Sequence, residues 1–296
     1  MASLHVTLEQ WRALQAVVDH DGFARAAEAL HKSQSSVSYT VAKLQEQLGV
    51  SLLRVEGRKA VLTDEGKALL RRARLLLKQA EEVEQFAEGL EQGWESEINL
   101  VVDAAFPTDI LMNALGRYAP QSHGCRVQLK EVVLSGAEDA LLQGNADIAI
   151  CANVPPVFLG EPLLNINFIA VSHIDHALHK LGRPLTTSDL EDELQLVIND
   201  SGEHHQQDVG WLGSDHRWSV SSMETALTTL MTGLGFCWLP EQVVAKHIEA
   251  GQIKPLDLEA GGQYQAMLYL VQGKQAGQGP GTKLLTELLH EEATRL

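Results

Sequence analysis

Gln34, Ser35, Ser36, Ser38 and Tyr39 put five hydrogen-bonding, uncharged side chains into six residues of chain. If a helix begins after Ser33, Val37, Val41, Leu44 and Leu48 recur at steps of four, three and four and form one buried face. Ser35, Ser38, Tyr39 and Ala42 then fall on the opposite side, with Gln34 at the helix start. A merely solvated face would carry glutamate and lysine. Small neutral groups suit contact with base edges in a major groove, where a glutamine amide matches adenine and serine hydroxyls bond base or phosphate. Lys43 completes the candidate set as a cation on the same helix.

Other chemistry is sparse. His173, His176 and His179 are spaced by three, and His204-His205 stand near Asp208 and His216. Neither group has the His-Glu-x-x-His spacing of a metal-holding helix, so capping or solvated roles are expected. Cys125, Cys151 and Cys237 lie too far apart in sequence for a zinc pattern or a disulfide framework, and buried free thiols are expected. There is no Gly-x-Ser-x-Gly elbow, no phosphate loop and no dinucleotide fingerprint after a first strand. The expectation is therefore no catalytic residue, no metal and no cofactor apart from a small organic ligand.

The elements that would hold the reading face are legible on both sides of it. Thr7-Leu8-Glu9-Gln10 has capping-box spacing, and Leu8, Trp11, Leu14, Ala16 and Val18 make the apolar stripe of a first helix that Asp21-Gly22 ends. The alanine-rich stretch 24–30 reads as a second helix able to approach another closely. Ser33 is a suitable N-cap and Gly49 a suitable stop for the third, which runs from about Gln34 to Gln47. Leu52–Val55 and Ala60–Leu62 read as strands of a hairpin with Glu56-Gly57-Arg58-Lys59 at its tip. Arg58 and Lys59 there either meet a phosphate or a minor groove, or form a solvated turn.

Phe23 with Ala26-Ala27, then Leu30-His31-Lys32-Ser33-Gln34-Ser35-Ser36-Val37-Ser38, Leu48-Gly49-Val50-Ser51-Leu52 and Leu62-Thr63-Asp64-Glu65-Gly66 resemble the helix-turn-helix signature of LysR-type transcriptional regulators. The likeness spans some sixty residues in one order. It departs from the family habit at Tyr39 and Gln45, where arginine and glutamate are common. The resemblance implies an N-terminal all-α winged helix-turn-helix with a long linker helix, followed by a C-terminal α/β, two-lobed effector domain like a periplasmic binding protein. It also implies double-stranded operator DNA, a second and often a fourth copy of the chain, a small-molecule effector and RNA polymerase as partners.

Thr63 can cap a helix from Asp64 to about Gln92. In it Leu69, Ala73, Leu76, Ala80, Val83, Ala87 and Leu90 alternate at steps of four and three, a heptad seam suited to a matching helix of a second copy. Beyond it strands and helices alternate: 98–102, 110–118, 127–132, 137–143 and 147–152, then 196–199, 222–232, 236–239, 267–271 and 282–293. That alternation predicts parallel βαβ units. Ala146–Ile150, Val171–His173 with Asp175–Leu178, and Gly233–Pro240 extend the resemblance into this region. The boundaries expected are 1–62, 63–92 and 93–296, with one lobe at about 93–167 and 268–296 and the other at about 168–267.

Ligands of open α/β sheets collect at strand ends and helix starts. These are Ala105, Phe106, Thr108, Ser135, Cys151 and Asn153 in the first lobe, and Asn199, Asp200, Ser201, Ser221, Ser222 and Met223 in the second. Hydroxyls and helix-start N–H groups suit a carboxylate, Phe106 and Met223 would cover an apolar body, and Arg217 is the counter-charge or else pairs with an acid of its own domain.

The net charge of −16 is unevenly spread. Residues 1–62 hold seven Lys or Arg against six Asp or Glu, while 93–296 hold eleven against twenty-six. DNA is thus expected to meet the N-terminal part alone. With 45% hydrophobic and 21% charged residues, and no apolar run near the roughly 20 residues of a membrane span, the chain reads as globular, cytoplasmic and without a leader. A solute-binding protein, or an α/β enzyme with an accessory DNA-binding head, is the competing class.

Overall fold

The computed structural model describes residues 5–56, 59–204, 210–273 and 278–295, without the side chains of 55, 56 and 59. The chain divides into two compact units, Met1–Glu88 and Gly89–Leu296. The hairpin tip at Arg58, the side chain of Lys59, and His205 and Asp208 lie outside the described residues.

The first unit comprises α1 (Leu8–Asp19), α2 (Phe23–Ala29), α3 (Gln34–Leu48), the antiparallel hairpin of β1 (Leu53–Glu56) and β2 (Lys59–Leu62), and most of α4 (Asp64–Glu91). The capping box forms as the sequence predicts: Thr7 Oγ1 accepts from the Gln10 N–H at 3.3 Å, and Gln10 Oε1 accepts from the Thr7 N–H at 2.8 Å. Trp11, Leu14, Val17, Ala26, Val37, Val41, Leu44 and Leu52 form the core, and Ala26 and Ala27 supply the small contact surface of α2. Leu8 does not join them. It is 44% exposed, because the buried stripe of α1 runs through Trp11, Ala13, Leu14, Ala16 and Val17 instead.

Gln45 explains its own departure from the family habit. Its Oε1 accepts from the N–H groups of Leu52 and Leu53 at 2.7 and 3.0 Å, tying the hairpin to the end of α3; a glutamate could do this only by holding a charge in a half-buried place. Gly66 lets the first turn of α4 pass directly over the Leu52 carbonyl, where any Cβ would overlap it.

Two faces of α4 are apolar. Leu70, Ala73 and Leu77 are buried in the helical core, so Ala73 belongs to that face and not to the expected seam. Leu76, Val83 and Leu90 keep their seven-residue spacing on another face at 46%, 67% and 46% exposure, with Leu75 beside them.

The second unit contains β3 (Glu97–Asp103), α5 (Thr108–Tyr118), β4 (Arg126–Val132), α6 (Gly136–Leu142), β5 (Ile148–Cys151), β6 (Gly160–His173), α7 (Thr187–Glu191), β7 (Gln195–Ile198), β8 (Arg217–Val220), α8 (Met223–Met231), β9 (Phe236–Pro240), α9 (Glu241–Glu249), β10 (Ile253–Pro255), β11 (Gln263–Gln272) and α10 (Pro280–Ala293). The sheet order is β4-β3-β5-β11-β6-β9-β7-β8, with β10 on β6. β3 runs parallel to β4 and β5, and β7 parallel to β8 and β9, as βαβ alternation predicts. The middle of the sheet corrects that expectation: β6 is antiparallel to β9, β10 and β11, and β11 is antiparallel to β5. Those two long strands carry the chain from one half of the sheet to the other and back. Separate cores flank each half, one pair around β3 to β5 and the other around β7 and β9. No helix among the described residues is long and apolar enough to cross a membrane.

Candidate DNA-reading face and effector pocket

Helix α3 exposes the whole candidate set. Ser33 caps it by accepting from the Ser36 N–H at 3.2 Å, and its Oγ lies 3.0 Å from that of Ser35. Gln34, Ser35, Ser36, Ser38, Tyr39 and Lys43 are all exposed, while Val37, Val41 and Leu44 fix the other face in the core. Tyr39 is 68% exposed. Lys32, just before the helix, pairs with Glu9 of α1.

The second unit holds a cavity of about 110 Å³ between the two halves of its sheet. Asp103, Ala105, Val133 and Leu134 come from the ends of β3 and β4, and Leu196, Ile198, Trp211, Met223 and Trp238 from the other half. Phe168 of β6 and Tyr264 of β11 stand opposite each other in the strand register and stack, with ring centroids 4.7 Å apart and planes 4° from parallel. Trp211 lies 6.1 Å from Trp238, ring centre to ring centre. Its indole occupies space that a Cβ at Gly213 would fill, 2.5 Å from Cζ2.

Two residues with acceptor oxygens line this cavity. Asp103 accepts from the Ala105 N–H at 2.8 Å and also bonds the Leu134 amide, yet burial, with Glu131 and Asp200 nearby, pushes its carboxyl up to about 6. Leu134 meets it in a left-handed conformation (φ 50°), a backbone cost found at ligand sites. Gln195 is 3% exposed; its Nε2 donates to the Trp211 carbonyl at 2.6 Å, and its Oε1 has no partner.

Beside the cavity the loops after β4 and β7 are fastened together. Ser201 Oγ accepts from the Val133 N–H at 2.9 Å and donates to the Val133 carbonyl at 3.1 Å. The Asp200 carboxylate accepts from the Ser135 N–H at 3.1 Å, the Ser135 hydroxyl at 2.7 Å and the Gly202 N–H at 2.8 Å. Asp139 of α6 adds the Glu203 and His204 amides, which hold its carboxyl below the usual range.

Of the residues the sequence singled out, Ala105 and Met223 line the cavity, and Ser135, Asp200 and Ser201 form the fastening next to it. Phe106 is buried in the core of the first half rather than over a ligand. Cys151 is fully buried in another core cluster, where burial pushes its thiol up to about 12. Thr108 is exposed at the start of α5, and Asn153 and Ser221 are exposed in loops. Ser222 caps α8 by accepting from the Thr225 N–H at 3.2 Å, and the Asn199 N–H donates to the Val220 carbonyl at 2.8 Å.

Arg217 also departs from expectation. It sits exposed on the edge strand β8 and donates to the Leu212 carbonyl at 3.3 Å, outside the cavity wall. No Lys, Arg or His lines the cavity among the described residues, so the geometry does not provide the expected carboxylate partner. The histidine triplet is used locally. His179 Nε2 lies 2.9 Å from Ser172 Oγ, His176 Nδ1 accepts from the Leu178 N–H, and His173 Nδ1 from the Asp175 N–H, each at 3.3 Å. Among the described residues no group of three or more His, Cys, Asp or Glu could hold a metal.

Phe168, Gln195, Trp211, Trp238 and Tyr264 were missed from sequence. Alternation of Leu164, Ile166, Phe168 and Ala170 at period two could have revealed β6 and one wall.

These two constructions match two family models. Residues 8–67 match the bacterial regulatory helix-turn-helix proteins of the lysR family, and residues 91–294 match the LysR substrate binding domain. The chain belongs to the LysR family of transcriptional regulators. It is 30% identical over 260 residues to the probable HTH-type transcriptional regulator YhaJ of Escherichia coli, covering 86% of this chain and 87% of that one. PunR of the same organism is 26% identical over 253 residues, 83% and 81% of the two chains. The full-length regulator LysG of Corynebacterium glutamicum, solved with the effector Arg bound, shares the fold at TM-score 0.54 and 21% identity over 98% and 99% of the chains. CrgA of Neisseria meningitidis does so at 0.53 and 22% over 96% and 98%. As a LysR-family member the chain is a DNA-binding transcription regulator with a C-terminal effector-binding domain, not an enzyme.

Proposed function

We propose that this LysR-type regulator reads its operator with Gln34, Ser35, Ser38 and Tyr39, positions itself on phosphates with Ser33, Ser36, Lys43, Arg58 and Lys59, and takes its signal in the cavity between the halves of the second unit. The uncharged, exposed face of α3 carries this reading, since it stands in a chain that is acidic elsewhere. The working boundaries are 1–62 for the reading head, 63–92 for the linker helix and 93–296 for the effector domain. The exposed row Leu76, Val83 and Leu90 supports pairing of two copies through α4, which would set two heads on half-sites related by a two-fold axis. Pairs of such dimers, contact with RNA polymerase and a cytosolic setting complete the reading.

Gln34→Ala or Ser38→Ala is expected to cost about 1–3 kcal/mol at the cognate operator and little on random DNA. Gel shifts at several salt concentrations check this, because a base contact leaves the salt slope unchanged whereas a phosphate contact lowers it. An equal loss on both DNAs would remove these residues from base readout.

A further inference from the structure

We propose that the cavity is built for a small aromatic amine, its ring held among Phe168, Tyr264, Trp211 and Trp238 and its nitrogen donating to the Asp103 carboxylate. This rests on the reading of the cavity as the effector pocket and adds the chemistry of its occupant.

Two independent features point the same way. First, the charge on the wall is negative. Asp103 is the acid at the cavity, and no cation lines it among the described residues. Second, the lining is aromatic on several sides, with the stacked Phe168 and Tyr264 pair and the two indoles. Aromatic faces attract a flat ring by stacking and a cation by their quadrupole, and reward neither a carboxylate nor a sulfonate.

Asp103 also supplies a pH signature. Its neighbours are Glu131 of β4, Asp200 after β7, Cys151 of β5 and Tyr264 of β11, all neutral or acidic groups. With its carboxyl near 6, Asp103 is ionised at neutral pH and accepts a proton as pH falls through that value. An amine held by the ionised form must then bind more weakly at pH 5 than at pH 7.5.

The test uses the full-length protein and two ligands of matched shape, 2-phenylethylamine and 3-phenylpropionate, followed by titration calorimetry with the indole fluorescence of the wall tryptophans as a second readout. The amine is expected to bind at least about tenfold tighter than the acid, to lose that advantage in Asp103→Asn, and to weaken at pH 5. The first comparison needs no variant, so a folding defect cannot obscure it. Equal or tighter binding of the acid, or no binding of the amine at millimolar concentration, overturns the assignment. Met223→Trp, which fills the cavity, separates the two levels of the argument. Acid binding that this substitution abolishes overturns the amine and leaves the pocket standing, whereas amine binding that survives it overturns both.

Discussion

Leu76→Asp combined with Val83→Asp is expected to turn the assembled regulator into a folded single chain that no longer holds a two-half-site operator. Both side chains lie on the exposed apolar row of α4, on a different face from Leu70, Ala73 and Leu77, which pack into the helical core. A leucine or valine buried in a helix pair contributes about 1.5–3 kcal/mol, and an unpaired carboxylate in the same place costs several more. Each substitution acts twice in a symmetric pair, so two of them outweigh the surplus that holds an ordinary interface together. The fold itself survives, since neither residue belongs to the core. Light scattering for mass, with a thermal melt for folding, checks the result. A double variant that melts as the parent does and keeps the parent mass would place the association elsewhere. Leu77→Asp supplies the contrast: it enters the core of the reading head and is expected to unfold that unit outright.

The second large effect concerns Asp103. Asp103→Asn is expected to make the protein more stable at pH 7.5 by about 2–3 kcal/mol, the gain shrinking as pH falls through about 6 and gone only below 3.8. The folded chain raises this carboxyl from 3.8 to about 6, so between those values it binds more protons than the unfolded chain. Stability from this group is therefore full below 3.8 and falls as pH rises through 6. Holding the ionised carboxylate in this place costs the folded chain about 3 kcal/mol, most of which asparagine recovers, since its amide oxygen still accepts from Ala105 while its NH2 group weakens the bond to the Leu134 amide. Urea melts of parent and variant at pH 7.5 and 4.5 measure the difference, and a variant no more stable than its parent at pH 7.5 would show that the buried carboxyl costs nothing.

The reading head was legible because its signals are local. Thr7, Ser33 and Gly49 act on residues within a turn or two, and the period of Val37, Val41 and Leu44 names one face without help from elsewhere. Periodicity was less decisive where two apolar faces share a helix: in α4 it put Ala73 in the seam, though that residue faces the core. The pocket was legible only at its rim. Strand ends and helix starts are where a chain stops and turns, so Ala105, Ser135, Asp200, Ser201 and Met223 could be named. Phe168 and Tyr264 lie within strands that meet through pairing of residues 96 positions apart, and nothing in either segment names the other. Gln195 gave no signal, because an unpaired oxygen is a property of packing.

The fastening between the loops after β4 and β7 has a genetic meaning. Gly136 and Gly202 lie where the two loops cross, and a Cβ at the first would overlap Ser201 Oγ, at the second Ser135 Oγ. Replacements there act by occupying space, so alanine, valine and lysine should all yield the same allele, a regulator whose setting no longer follows its signal. Alleles at Phe168 or Gln195 should instead differ one from another with the chemistry of each replacement. A selection for signal-blind mutants would therefore sort this domain into positions where any change suffices and positions where the particular change matters.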